Sequence, residues 1–273
     1  MATVPPRRCR ASYGDLAAEF DFLFPDPDEL ARLEASSLHA IFSRYGVRSV
    51  LDCACGTGIQ TLGLALLGYN VAASDISRRM LQVLDRKAKD KGLAIPSHQA
   101  DFRRLGKWPG RTFDAVICGG GSLTLVPKRE EVARALASMA SVVKPGGLVV
   151  VGLHNYMLLR EQGEEFVLRR PFRAGTSEVA FDVREFGAER AFVVHTFAHL
   201  DRGRWHLKSS TKSHHYLTAA DLQTLMLACG CASVELLDVT GEHEVGEAEW
   251  VLAVGQTARG ERTPADYAPE DPA

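Results

Sequence analysis

The sequence predicts an α/β protein whose mostly parallel sheet carries helices on both faces and an antiparallel β insertion, and three observations lead there. Residues 47–75 read as a β-loop-α-β unit. From Val47 to Leu153, short apolar runs alternate with helical periodicity, the pattern of parallel strands joined by crossover helices. Between residues 178 and 216 this gives way to three stretches in which apolar and polar residues alternate one by one.

Residues 1–46 read as a short basic arm (1–12) followed by helices at Tyr13 to Phe24 and Glu29 to Tyr45. Val47 to Leu51 is short and apolar enough for a buried strand. Asp52 to Gly58 supplies a small-residue turn, and Thr57 to Leu67 has helical periodicity. Gly56 and Gly58 sit where the backbone must turn tightly and pass close to a ligand, since glycine has no Cβ and tolerates positive φ. Asn70 to Ser74 is a second strand ending in Asp75, followed by a helix from Ser77 to Lys91. Ala100-Asp101-Phe102 closes a third strand. Phe113 to Cys118 is a fourth and runs into Gly119-Gly120-Gly121-Ser122, with a helix from Lys128 to Val143 after it. Lys144-Pro145-Gly146-Gly147 turns into a fifth strand, Leu148 to Leu153. The insertion, residues 155–216, holds strands at Glu178 to Phe186, Arg190 to Leu200 and Trp205 to Tyr216, with turns at Gly187 and Asp201-Arg202-Gly203. Thr218 caps a helix to Cys229, and Ser233 to Val239 with Glu249 to Val254 complete the sheet of a core spanning 47–257. Ala258 to Ala273, rich in Pro, Glu and Asp, reads as a disordered tail.

Composition narrows the partners. The 273 residues are 46% hydrophobic, enough for one large α/β core, and the net charge is −2. No basic surface argues for nucleic acid and no polybasic run argues for a membrane, so a small neutral or zwitterionic substrate fits better. The N-terminus has no apolar core of signal-peptide length, which leads to the expectation of a cytoplasmic protein. Cys53 and Cys55, like Cys229 and Cys231, are C-x-C pairs and lack zinc-site spacing; no metal is expected, and these thiols read as small core residues. A homo-oligomer stays open.

A carboxylate at Asp75, about twenty positions after the glycine turn, can accept two hydrogen bonds from a ribose diol; capping of the next helix is the bland alternative. A dinucleotide turn would read GxGxxG, whereas Gly56 and Gly58 are followed by Thr61. The run Asp52-x-Ala54-Cys55-Gly56-Thr57-Gly58 instead resembles the first motif of class I S-adenosylmethionine-dependent methyltransferases. Ala100-Asp101-Phe102, Phe113 to Cys118 and Lys144 to Gly147 match that family in order, and the resemblance covers about a hundred residues. It implies a Rossmann-like, mostly parallel seven-stranded sheet and S-adenosylmethionine as cofactor. It also implies that Asp52 starts the loop around Ala54, that Asp101 and the Phe102 amide meet the adenine, and that backbone carbonyls of Cys118 and Gly119 meet the cofactor's ammonium. Ile76 and Met80 would line the adenine pocket, with plain core packing as the alternative; Asp101 as a turn cap is likewise open. Tyr13 and Arg32 would close over the methionine carboxylate, with Tyr13 opening a Tyr13-Gly14-Asp15 … Phe20-Asp21 stretch similar to the family's N-terminal motif.

Leu153-His154-Asn155-Tyr156 is similar to the stretch after the fifth strand in glycine and sarcosine N-methyltransferases, where the Asn faces the amino-acid substrate. It departs from that pattern by one missing residue and by Met157 in place of Asp. The resemblance makes His154, Asn155 and Tyr156 the catalytic candidates and methylation of a small amine the expected reaction, an O-methyltransferase and a SAM-binding regulatory module being the alternatives. In the insertion Arg169, Arg170 and Arg184 are candidates for a substrate carboxylate. His195 and His199 share a strand face, while of His214 and His215 only one can face a pocket. Structural packing is the alternative for each histidine.

Overall fold

The computed structural model describes residues 16–107, 112–170, 177–238, 245 and 248–260. A seven-stranded sheet runs in the order β10-β11-β5-β4-β1-β2-β3, formed by β1 (Ser49–Asp52), β2 (Asn70–Asp75), β3 (Ser97–Gln99), β4 (Phe113–Cys118), β5 (Val143–His154), β10 (Cys231–Asp238) and β11 (Trp250–Thr257). β1 pairs in parallel with both β2 and β4, and β5 in parallel with β4, while β11 runs antiparallel between β5 and β10. The strand order therefore reverses direction at β1 and β4, and loops leaving their carboxyl ends diverge there to leave a crevice. Central residues such as Val50, Leu51, Val116, Leu148 and Val151 are fully buried, as expected of strands covered on both faces.

The helices are α1 (Pro27–Tyr45), α2 (Ile59–Leu66), α3 (Arg78–Asp90), α4 (Glu131–Ser141), α5 (Tyr156–Gln162) and α6 (Ala219–Ala228); α1 begins two residues before the expected start, α2, α3, α4 and α6 are trimmed versions of the expected helices, and α5 was not expected. Asp26 caps α1 by accepting from the Glu29 amide, with Pro27 in its first turn, and Gly46 ends it at φ 65°. The face Ala31, Ala35, Leu38, Ile41 and Phe42 is buried. Gly63 lets α1 lie directly on α2: a Cβ there would stand 2.3 Å from the Ala31 carbonyl oxygen. Tyr13 to Phe24 was expected to be a helix. Tyr13 lies outside the described residues, and from Leu16 onward the segment runs through turns into a 3₁₀ helix at Phe20–Leu23 rather than an α-helix.

The insertion forms its own four-stranded antiparallel sheet in the order β6-β7-β8-β9: β6 (Phe166–Arg170), β7 (Glu178–Phe186), β8 (Arg190–Asp201) and β9 (Arg204–His215). The three expected strands are in place within a residue or two, and β6 is an addition. Its run Phe166-Val167-Leu168 shows no alternation because it is a short edge strand, bulged against β7. Arg202 (φ 47°) and Gly203 (φ 77°) form the β8–β9 turn, the doubly left-handed pair that suits a two-residue hairpin. Of the disordered-tail expectation, residues 261–273 lie outside the described residues. Among the described residues no helix is long and apolar enough to cross a membrane.

Candidate active site

At the carboxyl end of β1 the chain leaves Asp52 and enters the glycine turn. Gly56 (φ 52°) and Gly58 (φ 93°) both take left-handed backbone, and a Cβ on Gly58 would meet the Leu84 side chain at 2.4 Å. Gly58 then caps α2, whose amino end points into the crevice. Asp52 is fully buried; its carboxylate accepts from the Thr61 hydroxyl at 2.6 Å. Burial, with smaller repulsion from Asp75 and Glu34, raises its pKa to about 7.

Asp75 closes the neighbouring strand. One carboxylate oxygen accepts from the Gly56 amide at 2.9 Å and the other from the Ser77 amide at 2.7 Å. Burial raises its pKa and these two donors pull it back. It thus ties the glycine turn to the start of α3 while leaving acceptor capacity on each oxygen. The helix-cap role itself falls to Ser77, whose hydroxyl accepts from the Met80 amide. Ile76 is 63% exposed beside Asp75, whereas Met80 is buried and belongs to the packing.

Asp101 follows β3 by two residues. Arg103 holds both of its oxygens, its backbone amide closes the turn, and Glu131 takes the other side of the guanidinium. Burial alone would raise the Asp101 pKa; Arg103 lowers it on balance. The turn-capping alternative is therefore what the side chain does here. Phe102 is half-buried against the main core. Cys118 is buried at the end of β4, and the Gly119 carbonyl accepts from the Ser122 amide. Gln60 lies against Gly119, where a Cβ would collide with it at 2.0 Å.

Arg32 was expected over the crevice. It is instead exposed on α1 and ion-paired with Glu29 one turn earlier, because an arginine on the outer face of a helix finds its nearest carboxylate there. Tyr13 lies outside the described residues. What does cross the glycine turn is the second half of the same N-terminal stretch. Phe20 lies 3.9 Å from where a Gly56 Cβ would be, and Asp21 accepts from the Thr57 hydroxyl at 2.5 Å and from Lys87 at 2.7 Å.

On the other side of the crevice, β5 ends in His154 beside β11. His154 and Trp250 are cross-strand neighbours with stacked rings, centroids 4.2 Å apart and 7° between planes. His154 Nδ1 donates to the Glu249 carbonyl at 3.0 Å, which leaves Nε2 as the acceptor nitrogen. Burial lowers its pKa to about 4, with help from Arg184 and Arg169. Asn155 corrects the expectation of a substrate-facing amide. It is the N-cap of α5, its carbonyl accepting from the Leu158 amide at 3.2 Å while its NH₂ donates to the Ala248 carbonyl at 3.3 Å. Tyr156 is buried with its ring 4.7 Å from His154 and 4.6 Å from His214.

His214 reaches this group from the second sheet, its Nδ1 2.9 Å from the Thr124 hydroxyl, which itself donates to the Gly121 carbonyl. Burial lowers its pKa well below the ordinary value, as do the neighbouring His195 and His154. His215 points the other way, onto Arg190, so the parity argument holds. His199 shares the His195 face but lies further along β8, exposed and stacked on His206.

One face of the second sheet gathers polar groups: buried Asp182 and Arg184 on β7, the partly exposed His195 on β8, and buried Ser210, Lys212 and His214 on β9. Asp182 is 0% exposed and holds His195 Nδ1 at 2.7 Å on one oxygen and Arg169 Nε at 2.7 Å on the other. Burial would raise its pKa, but His195 and Arg169 lower it on balance. Arg184, buried, pairs with Glu164. Arg170 turns away, to the Phe24 carbonyl and the Phe22 ring. A cavity of about 250 Å³ opens between the N-terminal segment and this sheet, bounded in part by Phe22, Arg170 and Phe197. A second recess, at the opposite end of the main sheet, surrounds the Lys144–Asp114 ion pair and is remote from the strand carboxyl ends.

Asp182, Phe20, Asp21 and Trp250 were not among the sequence candidates. Asp182 carried a signal nonetheless, because it shares strand parity with Ala180, and a charged residue on the buried parity of a strand needs a partner.

The sheet order, the glycine turn after β1 and the acid that ends β2 are those of a doubly wound α/β fold with a ligand crevice at the strand carboxyl ends. Residues 50–147 match the methyltransferase domain family. The glycine/sarcosine N-methyltransferase of Parasynechococcus marenigrum (strain WH8102) is 35% identical over 133 residues, covering 49% of this chain and 47% of that protein. The glycine N-methyltransferase of Rattus norvegicus is 34% identical over 137 residues, covering 46% and 47%. The chain spans about half the length of these curated relatives. An S-adenosylmethionine-dependent methyltransferase from Clostridium acetobutylicum ATCC 824 superimposes with a TM-score of 0.74 at 17% identity, covering 90% of this chain and 99% of that one, and so shares the fold.

Proposed function

We propose that this chain transfers a methyl group from S-adenosylmethionine to the amine of a small, amino-acid-like metabolite. The observation that carries the reading is the juxtaposition at one end of the main sheet: a left-handed glycine turn tied to Asp75 on one side, and a buried, largely cationic and histidine-rich wall on the other. The residues present fit the cofactor. Gly56 and Gly58 permit close approach, Asp75 keeps acceptor capacity for a ribose diol, Ile76 offers an apolar edge to the adenine, and the carbonyls of Cys118 and Gly119 stand at the end of β4. When bound, the cofactor supplies an activated methyl on a sulfonium; the chain aligns the acceptor and keeps water out. Residues 1–46, through Phe20 and Asp21, would close the cofactor side, and residues 155–216 would cover the acceptor.

A carboxylate on the acceptor suits Arg184 and Lys212, buried cations on the inner face, with Arg169 behind them. The relatives named as glycine and sarcosine N-methyltransferases support the amine. His154 and Tyr156 are then acceptor walls, and Asn155 holds α5 in place. Calorimetry with S-adenosylmethionine, with S-adenosylhomocysteine and with NAD tests the cofactor, and Asp75→Ala should weaken binding at least tenfold, from a charge-assisted bond of about 1.5–3 kcal/mol. Labelled S-adenosylmethionine offered with glycine, sarcosine and a set of phenols tests the acceptor. Methylation of phenols alone would replace the amine with a hydroxyl.

A further inference from the structure

We propose that His195, held by Asp182, is the base that takes the proton from the acceptor amine; the inference rests on the amine-methylation reading above. Amines of this kind are protonated near neutral pH, and a protonated nitrogen has no lone pair with which to attack. Three histidines ring the acceptor side, and the structure separates them. His154 Nδ1 donates to a backbone carbonyl and the ring is stacked on Trp250. His214 binds a neutral hydroxyl and stands among His195, His154, Lys212 and Arg184. Among the described residues, His195 alone of the three has a carboxylate against its ring, and that carboxylate is fully buried.

The geometry fixes how the dyad would act. Asp182 can only accept from His195 Nδ1, so the proton of the neutral ring is on Nδ1 and Nε2 carries the lone pair. Once Nε2 takes a proton, the adjacent carboxylate stabilises the imidazolium, the division of labour of an Asp-oriented histidine base. Arg169 on the other Asp182 oxygen keeps the carboxylate charged and its plane fixed. The His195 side chain is 12% exposed, and Phe197, two residues along on the same face of β8, borders the 250 Å³ cavity. The groups around His195 are Asp182 and Arg184 on β7, Arg169 on β6, Ser210, Lys212 and His214 on β9, and His154 from β5. Asp182 is the one anion among them.

The step balances without a co-reactant. The acceptor ammonium gives its proton to His195 Nε2. The freed lone pair forms the new N–C bond as the S–C bond breaks with its electron pair going to sulfur, which becomes a neutral thioether. His195 then passes its proton to water. Asp182 acts through His195 and is a positioning residue.

The test uses His195→Gln, which keeps a donor toward Asp182 but cannot take a proton, together with Asp182→Asn. With glycine and sarcosine as probes, His195→Gln should lower kcat at neutral pH at least a hundredfold with unchanged S-adenosylhomocysteine affinity. Its rate should climb tenfold per pH unit toward the amine pKa, while the wild type levels off earlier, and added imidazole should restore part of the rate. A variant within threefold of wild type across the pH range, with wild type active, overturns the dyad and leaves methyl transfer standing. Wild type inactive on both amines removes the amine reading; the dyad is then decided by ¹⁵N NMR of the His195 ring in the whole protein. A neutral ring protonated on Nδ1 with a bare Nε2, a preference lost in Asp182→Asn, supports the dyad, and a protonated Nε2 on a neutral ring in the wild type overturns it.

Discussion

The two walls of the crevice are built from different materials. The wall formed by the loops after β1 and β2 is backbone: two left-handed glycines, amides donated to Asp75, and carbonyls at the end of β4. The wall supplied by β5 and the second sheet is side chain: Asp182, Arg184, His195, Lys212, His214 and His154, all buried or nearly so. Under the proposed function a backbone wall would recognise the cofactor, the part common to every methyl transfer, because peptide geometry changes little with sequence. A side-chain wall can be rewritten residue by residue without disturbing the sheet beneath it, so under the proposed function acceptor choice would reside there.

The largest expected effect breaks the backbone wall. Gly58→Ala puts a Cβ 2.4 Å from Leu84 at a φ of 93°, so either the turn or α3 must move. S-adenosylhomocysteine affinity should fall at least a hundredfold by calorimetry, with about 2 kcal/mol lost in denaturant unfolding. A Gly58→Ala protein that binds normally would mean the turn is not the recognition element.

Arg184→Met should do the converse. It removes a buried cation while leaving its partner Glu164, which is partly exposed, to water. We expect kcat/KM for a carboxylate-bearing amine to drop about 10- to 100-fold, the range of a charge-assisted bond, with cofactor affinity near wild type. An equal loss of cofactor affinity would make Arg184 part of the other wall and dissolve the distinction.

The same contrast explains what the sequence disclosed. Backbone recognition leaves glycines and a strand-ending acid at fixed spacing, so the turn, Asp75 and the alternation of elements could be read directly. Side-chain recognition depends on which residues meet across strands. Asp182 and His195 face each other only because of the β7–β8 register, and thirteen positions of sequence separation conceal it. Asn155 misled for a local reason: a side chain that suits a substrate also suits a helix N-cap, and the chain beginning at Tyr156 is helical. In the N-terminal stretch Tyr13 lies outside the described residues, and the described contacts to the glycine turn come from Phe20-Asp21.

A smaller effect separates the walls by pH. Asp52, with its pKa raised to about 7 by burial, binds more protons folded than unfolded between about pH 4 and 7, so it costs stability as pH rises through that window. His154, lowered to about 4, binds fewer protons folded than unfolded below its ordinary 6.5, so stability is lost as pH falls from 6.5 toward 4. Asp52→Asn should therefore raise stability at pH 8 by about 2 kcal/mol and change little at pH 4, whereas His154→Gln should flatten the acid side of the profile. Thermal unfolding across pH, without ligand, measures both. If Asp52→Asn is neutral at pH 8, water or a cation relieves the buried charge.

The smallest effect belongs to a residue that touches neither wall. Arg32 is 67% exposed and paired with Glu29 three residues earlier on the same helix. Such a pair contributes about 0.2–0.5 kcal/mol, and losing the arginine leaves a solvated glutamate, so Arg32→Ala should shift unfolding by no more than that. Cofactor affinity should stay within twofold of wild type. The measurement is worth making because a helix arginine before β1 is the residue that the family resemblance would place over the methionine carboxylate. A tenfold loss of affinity would mean that Arg32 leaves Glu29 and swings over the crevice when the cofactor arrives, adding a charged side chain to a wall otherwise made of backbone.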